Sequence, residues 1–313
     1  MDGIIQARKP PLVTSHDMVQ QIRSLLPGNK IGHFGTLDPL ATGLLLLAVG
    51  SATRLFPFFS KLAKAYEGTI RLGLSTDTYD SLGKPTSDPS TEWPDQARLE
   101  REMRDFEGEI SQLPPPFSAK KHKGQPLYKL ARANLPTPLT PALVSVHEFL
   151  CHSYQAPDIE FSTRCSSGTY IRSLAHDLGQ NLGCGAHLTR LVRTEVGRFL
   201  LKDAHSLEAI STLSAAGHIQ GFLLPIEELL PEFPRLILTE EGAALACHGN
   251  LIAPQHIAKI FESHTSETAA GSLEAKVFRL FSEGGRLLAF ARKASDQIGL
   301  HPFLVVDTGT ADQ

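Results

Sequence analysis

Apolar and polar positions recur along the chain in patterns that predict both strands and helices. Near the N-terminus, GIIQARK predicts a short strand. The spacing of Val19, Ile22 and Leu25 then predicts a helix that begins at an N-cap, Ser15. The unbroken apolar run at 44–49 predicts a buried strand, although a buried helix has the same signature.

Strands and helices continue to alternate over the rest of the chain, which indicates mixed α/β content. Strands are predicted from about 66 to 72, in the alternating stretches that begin at 139 and 158, and around 194–201; helices are predicted at 95–107, 170–183 and 203–230. Residues 74–94 are rich in Gly, Pro, Ser, Thr and Asp and predict a long loop, a type that is often functional.

Prolines at 231 and 234 mark a predicted domain boundary, with one domain over 1–231 and a second over 232–313. The second contains two or three predicted strands, and the Gly284-Gly285 pair between two of them predicts a hairpin. A module of this size, built of strands and turns, suits a small β barrel.

The composition narrows the class of protein. Hydrophobic residues make up 42% and charged residues 20% of the 313 positions, which is typical of a globular protein with a sizeable core. A net charge of −3 argues against a protein that coats nucleic acid through bulk charge, but a local basic groove remains compatible with it. Four cysteines without a C-x-x-C pair predict neither a zinc site nor a disulfide framework.

The sequence also carries no signal for membrane insertion or nucleotide binding. The N-terminus lacks an apolar signal segment, and the longest apolar run is far shorter than the roughly 20 residues that span a bilayer. Neither G-x-G-x-x-G nor G-x-x-x-x-G-K-[ST] occurs. We therefore expect a cytoplasmic protein that needs no redox cofactor or ATP.

The stretch GHFGTLDPLATGLLLL, residues 32–47, carries the most specific chemistry. Its one carboxylate, Asp38, stands between glycines and the buried apolar run. An Asp-Pro pair commonly starts a turn, so this pattern alone favours a structural role. The other hypothesis is an ionised carboxylate that acts as a nucleophile or base.

The same stretch closely resembles the signature G-H-x-G-x-L-D-P-x-A-x-G of the TruB family of tRNA pseudouridine synthases, and every fixed position is met. Other segments match family elements in the same order: TSHDMV, KAYEGTIRLGLSTDTYDSLG against K-x-Y-x-x-x-x-x-L-G-x-x-T-D-T-x-D-x-x-G, LPPPFSAKKHKGQPLYKLAR, and CSSGTYIRSLAHDLG against C-S-x-G-T-Y-I-R-x-L-x-x-D-L-G. The resemblance covers about residues 1–230.

The resemblance implies a fold and a reaction. The fold would be α/β (α+β), a pseudouridine-synthase catalytic domain with a mixed, mostly antiparallel central sheet flanked by helices. A small C-terminal PUA-like β module would follow it, suggested by its position, its size and LACHGNLI. The reaction would be the isomerisation of uridine 55 in the T loop of tRNA by a monomer, without a cofactor or metal ion.

The resemblance also implies roles for individual residues. Asp38 would be the acting carboxylate, Arg172 would hold its charge, and Tyr66 would stack on the flipped uracil. Substrate binding would involve His33, Gly35, Leu37, Lys9, Lys121, Tyr170, Leu191 and Arg193. Plainer explanations exist, such as core packing for Tyr66 and Leu191 and a structural hydrogen bond for His33.

Two segments are far more basic than the whole chain and predict a groove for RNA phosphates. Residues 114–132 carry cations and no acidic residue; the cations are Lys120, Lys121, Lys123, Lys129 and Arg132. Residues 163–202 carry six cations against two acidic residues. A solvated basic face is the alternative.

The chain departs from the family pattern in two places. The family usually has D-K-P-x-G ahead of T-S, whereas this chain has ARKPPLVTS, with Leu12 near the usual glycine. The stretch 255–275 also resembles an insertion.

Two other functions compete with an RNA isomerase. One is a tRNA-binding folding chaperone with the same fold, with or without catalysis. The other is a synthase that works in a guide-RNA complex, which the compact N-terminus disfavours. Retention of Asp38, Tyr66 and Arg172 together favours catalysis.

Overall fold

The structure is a computed structural model that describes residues 1–118, 121–122, 125–127, 133, 135, 139–261, 277–293 and 298–306, with the backbone alone at 121–122 and 125–126. The chain divides into two compact units. The larger unit comprises Ile5–Leu47 and Phe56–Phe222. The smaller unit comprises Met1–Ile4, Ala48–Leu55 and the described part of Leu223–Gln313.

Strands and helices alternate through the described chain. The strands are β1 (Gly3–Lys9), β2 (Ile31–His33), β3 (Thr42–Val49), β4 (Lys64–Leu72), β5 (Gly108–Gln112), β6 (Lys121–His122), β7 (Gln125–Pro126), β8 (Ala142–Gln155), β9 (Asp158–Cys165), β10 (Ala186–Val196), β11 (Phe199–Leu200), β12 (Leu223–Pro225), β13 (Arg235–Leu238), β14 (Ile257–Phe261), β15 (Val277–Phe281), β16 (Leu287–Lys293) and β17 (Leu300–Val305). The helices are α1 (Ser15–Leu25), α2 (Phe56–Phe59), α3 (Gln96–Arg104), α4 (Ile171–Leu182), α5 (Leu207–Ala215) and α6 (Glu240–Cys247).

The main sheet follows the order β12-β1-β3-β10-β4-β9-β8-β5, with β2 beside β3 and β11 beside β10. The pair β3–β10 is parallel, whereas the neighbours from β10 to β5 are all antiparallel. This arrangement confirms the predicted mixed, mostly antiparallel sheet. The apolar run at 44–49 is fully buried and lies in β3, between β1 and β10 in the sheet. An unbroken apolar run of this kind is typical of a strand whose two faces are both covered by other parts of the protein.

The N-cap of helix α1 lies one residue earlier than predicted. Thr14, not Ser15, accepts a hydrogen bond from the Asp17 amide, and the Asp17 carboxylate accepts from the Thr14 amide in return. The assignment of Ser15 as the N-cap is therefore wrong. Ser15 is buried instead, and its hydroxyl contacts the Leu37 backbone.

Two predicted boundaries in the larger unit are also wrong. Only Leu207–Ala215 of the predicted helix at 203–230 is α-helical. It ends at Gly217, which has a φ of +72° and cannot continue a right-handed helix. Strand β10 begins at Ala186, well before the predicted 194, because its buried alternation starts inside CGAHLTRL.

The smaller unit contains a five-stranded sheet in the order β14-β13-β15-β16-β17. Its core includes Leu236, Leu280 and Leu288, with Ala246 of α6 packed among them. Strands β15 and β16 are antiparallel, which confirms the hairpin predicted at Gly284-Gly285. The sequence prediction missed β13, β14 and α6. Most of the predicted insertion at 255–275 lies outside the described residues, but 257–261 form β14.

No helix among the described residues is long and apolar enough to cross a membrane.

Candidate active site

The loop that carries Asp38 connects β2 to β3. Hydrogen bonds to Ser15 and Leu12, which precede it in the chain, hold it in place. The Leu37 amide donates to the Ser15 hydroxyl at 2.8 Å, and the Leu12 amide donates to the Pro39 carbonyl at 2.8 Å. Backbone contacts on both sides of Asp38 therefore leave its carboxylate with a defined position.

Two buried cations bind carbonyl oxygens of this loop and of the strand β3 that follows it. Arg193 donates to the carbonyls of Leu44 at 2.8 Å and Gly35 at 3.1 Å. Lys9 Nζ donates to the carbonyl of Pro39 at 3.4 Å, and burial lowers the pKa of this lysine to about 8 against the opposing charge of Asp38. Both cations are covered by protein, so these contacts hold the loop from within the fold. Substrate binding by either side chain stays a prediction.

Asp38 forms a bidentate ion pair with Arg172, the second residue of α4. Arg172 Nε donates to Asp38 Oδ2 and Nη2 donates to Oδ1, both at 2.8 Å. The guanidinium is only 5% exposed, whereas the carboxylate is 34% exposed. A planar fork of this kind fixes the orientation of a carboxylate and offsets its charge. The negative charge of Asp38 is therefore balanced by Arg172, while its side chain remains partly accessible from solvent.

Arg172 is itself held by the loop after β4. Its Nη1 donates to the Thr78 carbonyl at 2.9 Å and lies 3.7 Å from Asp80 Oδ2, while Nη2 donates to the Phe117 carbonyl at 3.0 Å. Burial raises the pKa of Asp80, and a hydrogen bond from Thr78 and the charge of Arg172 oppose this. Sequence reasoning did not single out Asp80, although its place in T-D-T-x-D was a signal.

Tyr66 and Leu191 lie on the adjacent strands β4 and β10, beside the loop. Tyr66 pairs across the strands with Arg193 and is almost fully buried. Burial raises the pKa of its phenol; the charge of Arg193 opposes the shift, and the charge of Asp38 adds to it. Leu191 is also buried. Of these two residues, Tyr66 is therefore close enough to Asp38 for the charge of the carboxylate to act on its phenol.

His33 and Tyr170 flank the same region. Burial and the charge of Arg193 lower the pKa of His33, and its Nδ1 is buried without a hydrogen-bond partner among the described residues. Tyr170 precedes α4, and its amide and carbonyl bond the Gln112 side chain at 2.8 and 3.0 Å. Burial raises the pKa of the Tyr170 phenol.

The structure weakens one of the two predicted basic surfaces. Within 163–202, Arg172 and Arg193 are buried, while Arg164 pairs with Glu195 at 2.5 Å and Arg190 with an acidic residue of β9 at 2.6 Å. Four of its six cations are therefore already engaged by other groups of the protein. In the other segment, the side chain of Lys121 and all of Lys120, Lys123, Lys129 and Arg132 lie outside the described residues. In the part of the chain that is described, no group of three or more histidine, cysteine or acidic side chains is placed to hold a metal ion.

Known families and proteins match this chain over most of its length. The model for the N-terminal domain of TruB family pseudouridylate synthases matches residues 23–171, and the model for the tRNA pseudouridylate synthase B C-terminal domain matches 172–231. A relative named tRNA pseudouridine synthase B from Solibacter usitatus is 43% identical over 249 residues, covering 80% of this chain and 85% of that protein.

This chain belongs to the TruB family of pseudouridylate synthases.

Other TruB relatives and solved structures agree with this assignment. Relatives of the same name from Geobacter sulfurreducens and Thermotoga petrophila are 42% and 37% identical, covering 78% and 92% of this chain and 80% and 89% of theirs. A chain in the crystal structure of a Cbf5-Nop10-Gar1 complex has a TM-score of 0.72 at 25% identity, covering 98% of this chain and 85% of that one. An H/ACA RNP bound to a substrate RNA containing 2'-deoxyuridine gives a TM-score of 0.70 at 24% identity, over 97% and 84% of the two chains, which shows a shared fold.

The departure from the TruB pattern at Leu12 leaves the local backbone in a glycine-like conformation. Leu12 has a φ of +62°, in the left-handed region that leucine rarely adopts, and its side chain is 71% exposed. The hydrogen bond from the Leu12 amide to the Pro39 carbonyl is nevertheless formed. The chain therefore keeps the turn but carries strain in it.

Replacing Leu12 with glycine should relieve that strain. We expect Leu12→Gly to raise the free energy of unfolding by about 1 kcal/mol, because little packing is lost at an exposed site and the φ becomes favourable. Chemical denaturation measures the change. Leu12→Ala keeps the strained φ and serves as the control, with stability close to wild type. Equal stabilisation by both variants would contradict the role of backbone strain.

The last glycine of the TruB signature, Gly43, cannot accept a side chain. Its φ is +101°, and a Cβ there would lie 2.8 Å from the Arg193 backbone nitrogen on the neighbouring strand. We expect Gly43→Ala to lower the free energy of unfolding by about 3 kcal/mol, from backbone strain plus a clash that strand pairing prevents from relaxing.

Gly28→Ala is the matched control for Gly43→Ala. Gly28 has a similar φ of +80°, but nothing lies within 4 Å of its Cβ position. It should therefore cost only about 1 kcal/mol, from the backbone alone. Equal losses in the two variants, measured by denaturation, would show that the clash at Gly43 is unimportant.

Proposed function

We propose that this chain isomerises uridine 55 in the T loop of tRNA to pseudouridine and that Asp38 is the acting carboxylate. One observation carries the proposal: a partly exposed carboxylate is held in bidentate contact by a buried guanidinium. Membership of the family supplies the reaction, and the relatives are named for tRNA.

The chemistry needs no change in oxidation state. The N1–C1′ glycosidic bond of uridine breaks, the uracil turns, and a C5–C1′ bond forms. The proton lost from C5 balances the proton gained at N1. A fixed, ionised carboxylate can serve as the nucleophile or base in such a sequence. The exposed edge of Asp38 faces the ligand, while Arg172 keeps its plane fixed.

The residues around Asp38 suit the binding of a nucleobase that has been flipped out of the RNA. Extruding a nucleotide costs a few kcal/mol, which an apolar and aromatic pocket offsets. Tyr66 feels the charge of Asp38, and Leu191 lies on the strand beside it; we assign contact with the flipped uracil to these two side chains. A neutral phenol at Tyr66, favoured by burial, is able to donate a hydrogen bond or a proton. We assign to His33, Gly35, Leu37, Lys121 and Tyr170 contacts with the RNA around that base.

The proposed catalytic and RNA-binding roles belong to different domains. We propose 1–231 as the catalytic domain and 232–313 as a PUA-like RNA-binding domain. Exposed Arg292 and Lys293 on β16 support RNA binding by the second domain, because they offer two positive charges to phosphate groups. We further propose that the protein acts as a monomer in the cytoplasm.

A T-arm hairpin RNA, incubated with the purified protein alone, tests the proposed function. We expect pseudouridine at the position equivalent to 55 and at no other uridine, detected by chemical mapping of the product. A hairpin with cytidine at that position is the control. Binding without product would favour the chaperone hypothesis, and product only after addition of a guide RNA would favour the guide-dependent hypothesis.

A further inference from the structure

The rings of Tyr79 and His176 are stacked face to face. Their centroids are 3.8 Å apart and their planes differ by 7°. Tyr79 lies in the loop after β4, and His176 lies on α4. Both positions are variable in the family pattern, where they correspond to the x of T-D-T-x-D and an x of R-x-L-x-x-D. The stack is therefore a feature of this chain rather than of the signature.

The stack joins two segments that both hold Arg172. Tyr79 lies between Thr78, whose carbonyl accepts from Arg172, and Asp80, whose carboxylate is 3.7 Å from the guanidinium. His176 is four residues after Arg172 on α4, so the two side chains project from the same side of the helix. The stack thus connects the turn at 78–80 directly to the helix that carries Arg172.

The backbone at Tyr79 shows that the turn needs support. Its φ is +64°, a left-handed conformation that is unfavourable for a bulky side chain and persists where surrounding contacts enforce it. Tyr79 itself has two backbone hydrogen bonds, from its amide to the Thr76 carbonyl and from the Leu188 amide to its own carbonyl. The Asp80 carbonyl accepts a third from the Gly83 amide. The ring stack adds the contact to α4.

The contribution of His176 comes from its ring face. Its Nδ1 is buried and has no hydrogen-bond partner among the described residues, and burial lowers its pKa. Burial raises the pKa of Tyr79, and the charge of Asp177 adds to this. Both rings are therefore uncharged near neutral pH. Because Nδ1 makes no hydrogen bond among the described residues, phenylalanine should be able to replace His176 if ring stacking is its role.

We propose that the Tyr79–His176 stack is a positioning device for catalysis: it holds the turn at 78–80 against α4, so that Arg172 keeps Asp38 in its reactive orientation. The inference rests on the proposed function. Neither ring is a catalytic residue, because both act through Arg172.

Single-turnover rates and dissociation constants for the T-arm hairpin test the stack. His176→Ala and Tyr79→Asn should each lower the rate about tenfold with affinity within about twofold, because a small displacement of a catalytic group slows chemistry more than binding. Asparagine tolerates the left-handed φ, so it removes the ring and keeps the turn. The double variant should be no slower than the slower single variant, as expected for one shared contact. His176→Phe and Tyr79→Phe keep the stack and should retain the wild-type rate.

His152→Ala is the matched control, because this exposed histidine of β8 bonds Ser162 and makes no contact with Arg172. Its rate should equal that of wild type. The proposal is overturned if His176→Phe is as slow as His176→Ala, if the two single effects multiply in the double variant, or if affinity falls in parallel with rate. Failure of the wild-type protein to form pseudouridine would instead refute the proposed function. Thermal melting of each variant confirms folding, and Tyr79→Asn keeps the test open if His176→Ala does not fold.

Discussion

Asp38→Asn is expected to abolish pseudouridine formation and to leave RNA binding intact. The amide carries no negative charge and cannot act as a nucleophile or base, so the single-turnover rate should fall on the order of 10⁴-fold or more. Affinity for the hairpin should be equal or slightly higher, since a negative charge near RNA phosphates has been removed. Filter binding and product mapping on the same preparation separate the two effects.

The matched control for Asp38→Asn is Asp105→Asn. Asp105 is an exposed carboxylate after α3, far along the chain from the loop at 35–41, and its replacement should change neither rate nor affinity. Measurable turnover by Asp38→Asn at more than about a hundredth of the wild-type rate would contradict the assignment of Asp38, because loss of general acid–base catalysis alone is worth about that much.

Arg172→Lys is expected to have the second largest effect on activity. Lysine offers a point charge in place of the planar fork, so it cannot donate twice to Asp38 and still reach the carbonyls of Thr78 and Phe117. We expect the single-turnover rate to fall roughly 100-fold or more, because the carboxylate loses its fixed orientation. The free energy of unfolding should also fall by about 3 kcal/mol, because the hydrogen bonds of the guanidinium to Asp38 and its contact with buried Asp80 are lost together.

Arg71→Lys provides a closely matched control. Arg71 also makes a bidentate pair, with Nε and Nη2 each 2.7 Å from an oxygen of Asp158, but its side chain is 51% exposed. Exposed pairs contribute less than about 1 kcal/mol, so Arg71→Lys should be close to wild type in stability and rate. Similar losses in the two variants would show that bidentate geometry in general, and not the site, explains the result.

The sequence predicted the pairing of Asp38 with Arg172 only through the resemblance. No periodicity or spacing connects two residues that are 134 positions apart. The same resemblance predicted a mixed, mostly antiparallel central sheet, and the structure agrees. The functional roles of these residues stay predictions until variants are assayed.

The parts that sequence reasoning missed share a physical cause. Ser15 has the composition of a helix cap but is buried against Leu37, and only the three-dimensional path of the chain shows this. Lys9 and Arg193 are cations, a residue type usually found at the surface, yet backbone carbonyls satisfy them inside the fold. Long-range contacts of this kind leave no local signature.

The failed helix prediction at 203–230 has a local cause. The stretch is rich in leucine and alanine, which suggested a continuous helix. Gly217, Gly221 and Pro225 interrupt it, and each ends or excludes regular helical hydrogen bonds. In this stretch the glycines and the proline, and not the apolar composition, decide where the helix ends.

The hydrogen bonds that hold Arg172 also have a consequence for folding. Its hydrogen bonds reach residues that are 134, 94 and 55 positions away in sequence, at Asp38, Thr78 and Phe117. Contacts across such distances form late, because the entropy of closing long loops must first be overcome, whereas a neighbouring pair such as β8 and β9 closes early. We therefore expect catalytic competence in this chain to be acquired late in folding. A newly made molecule can have most of its secondary structure before it has an active site.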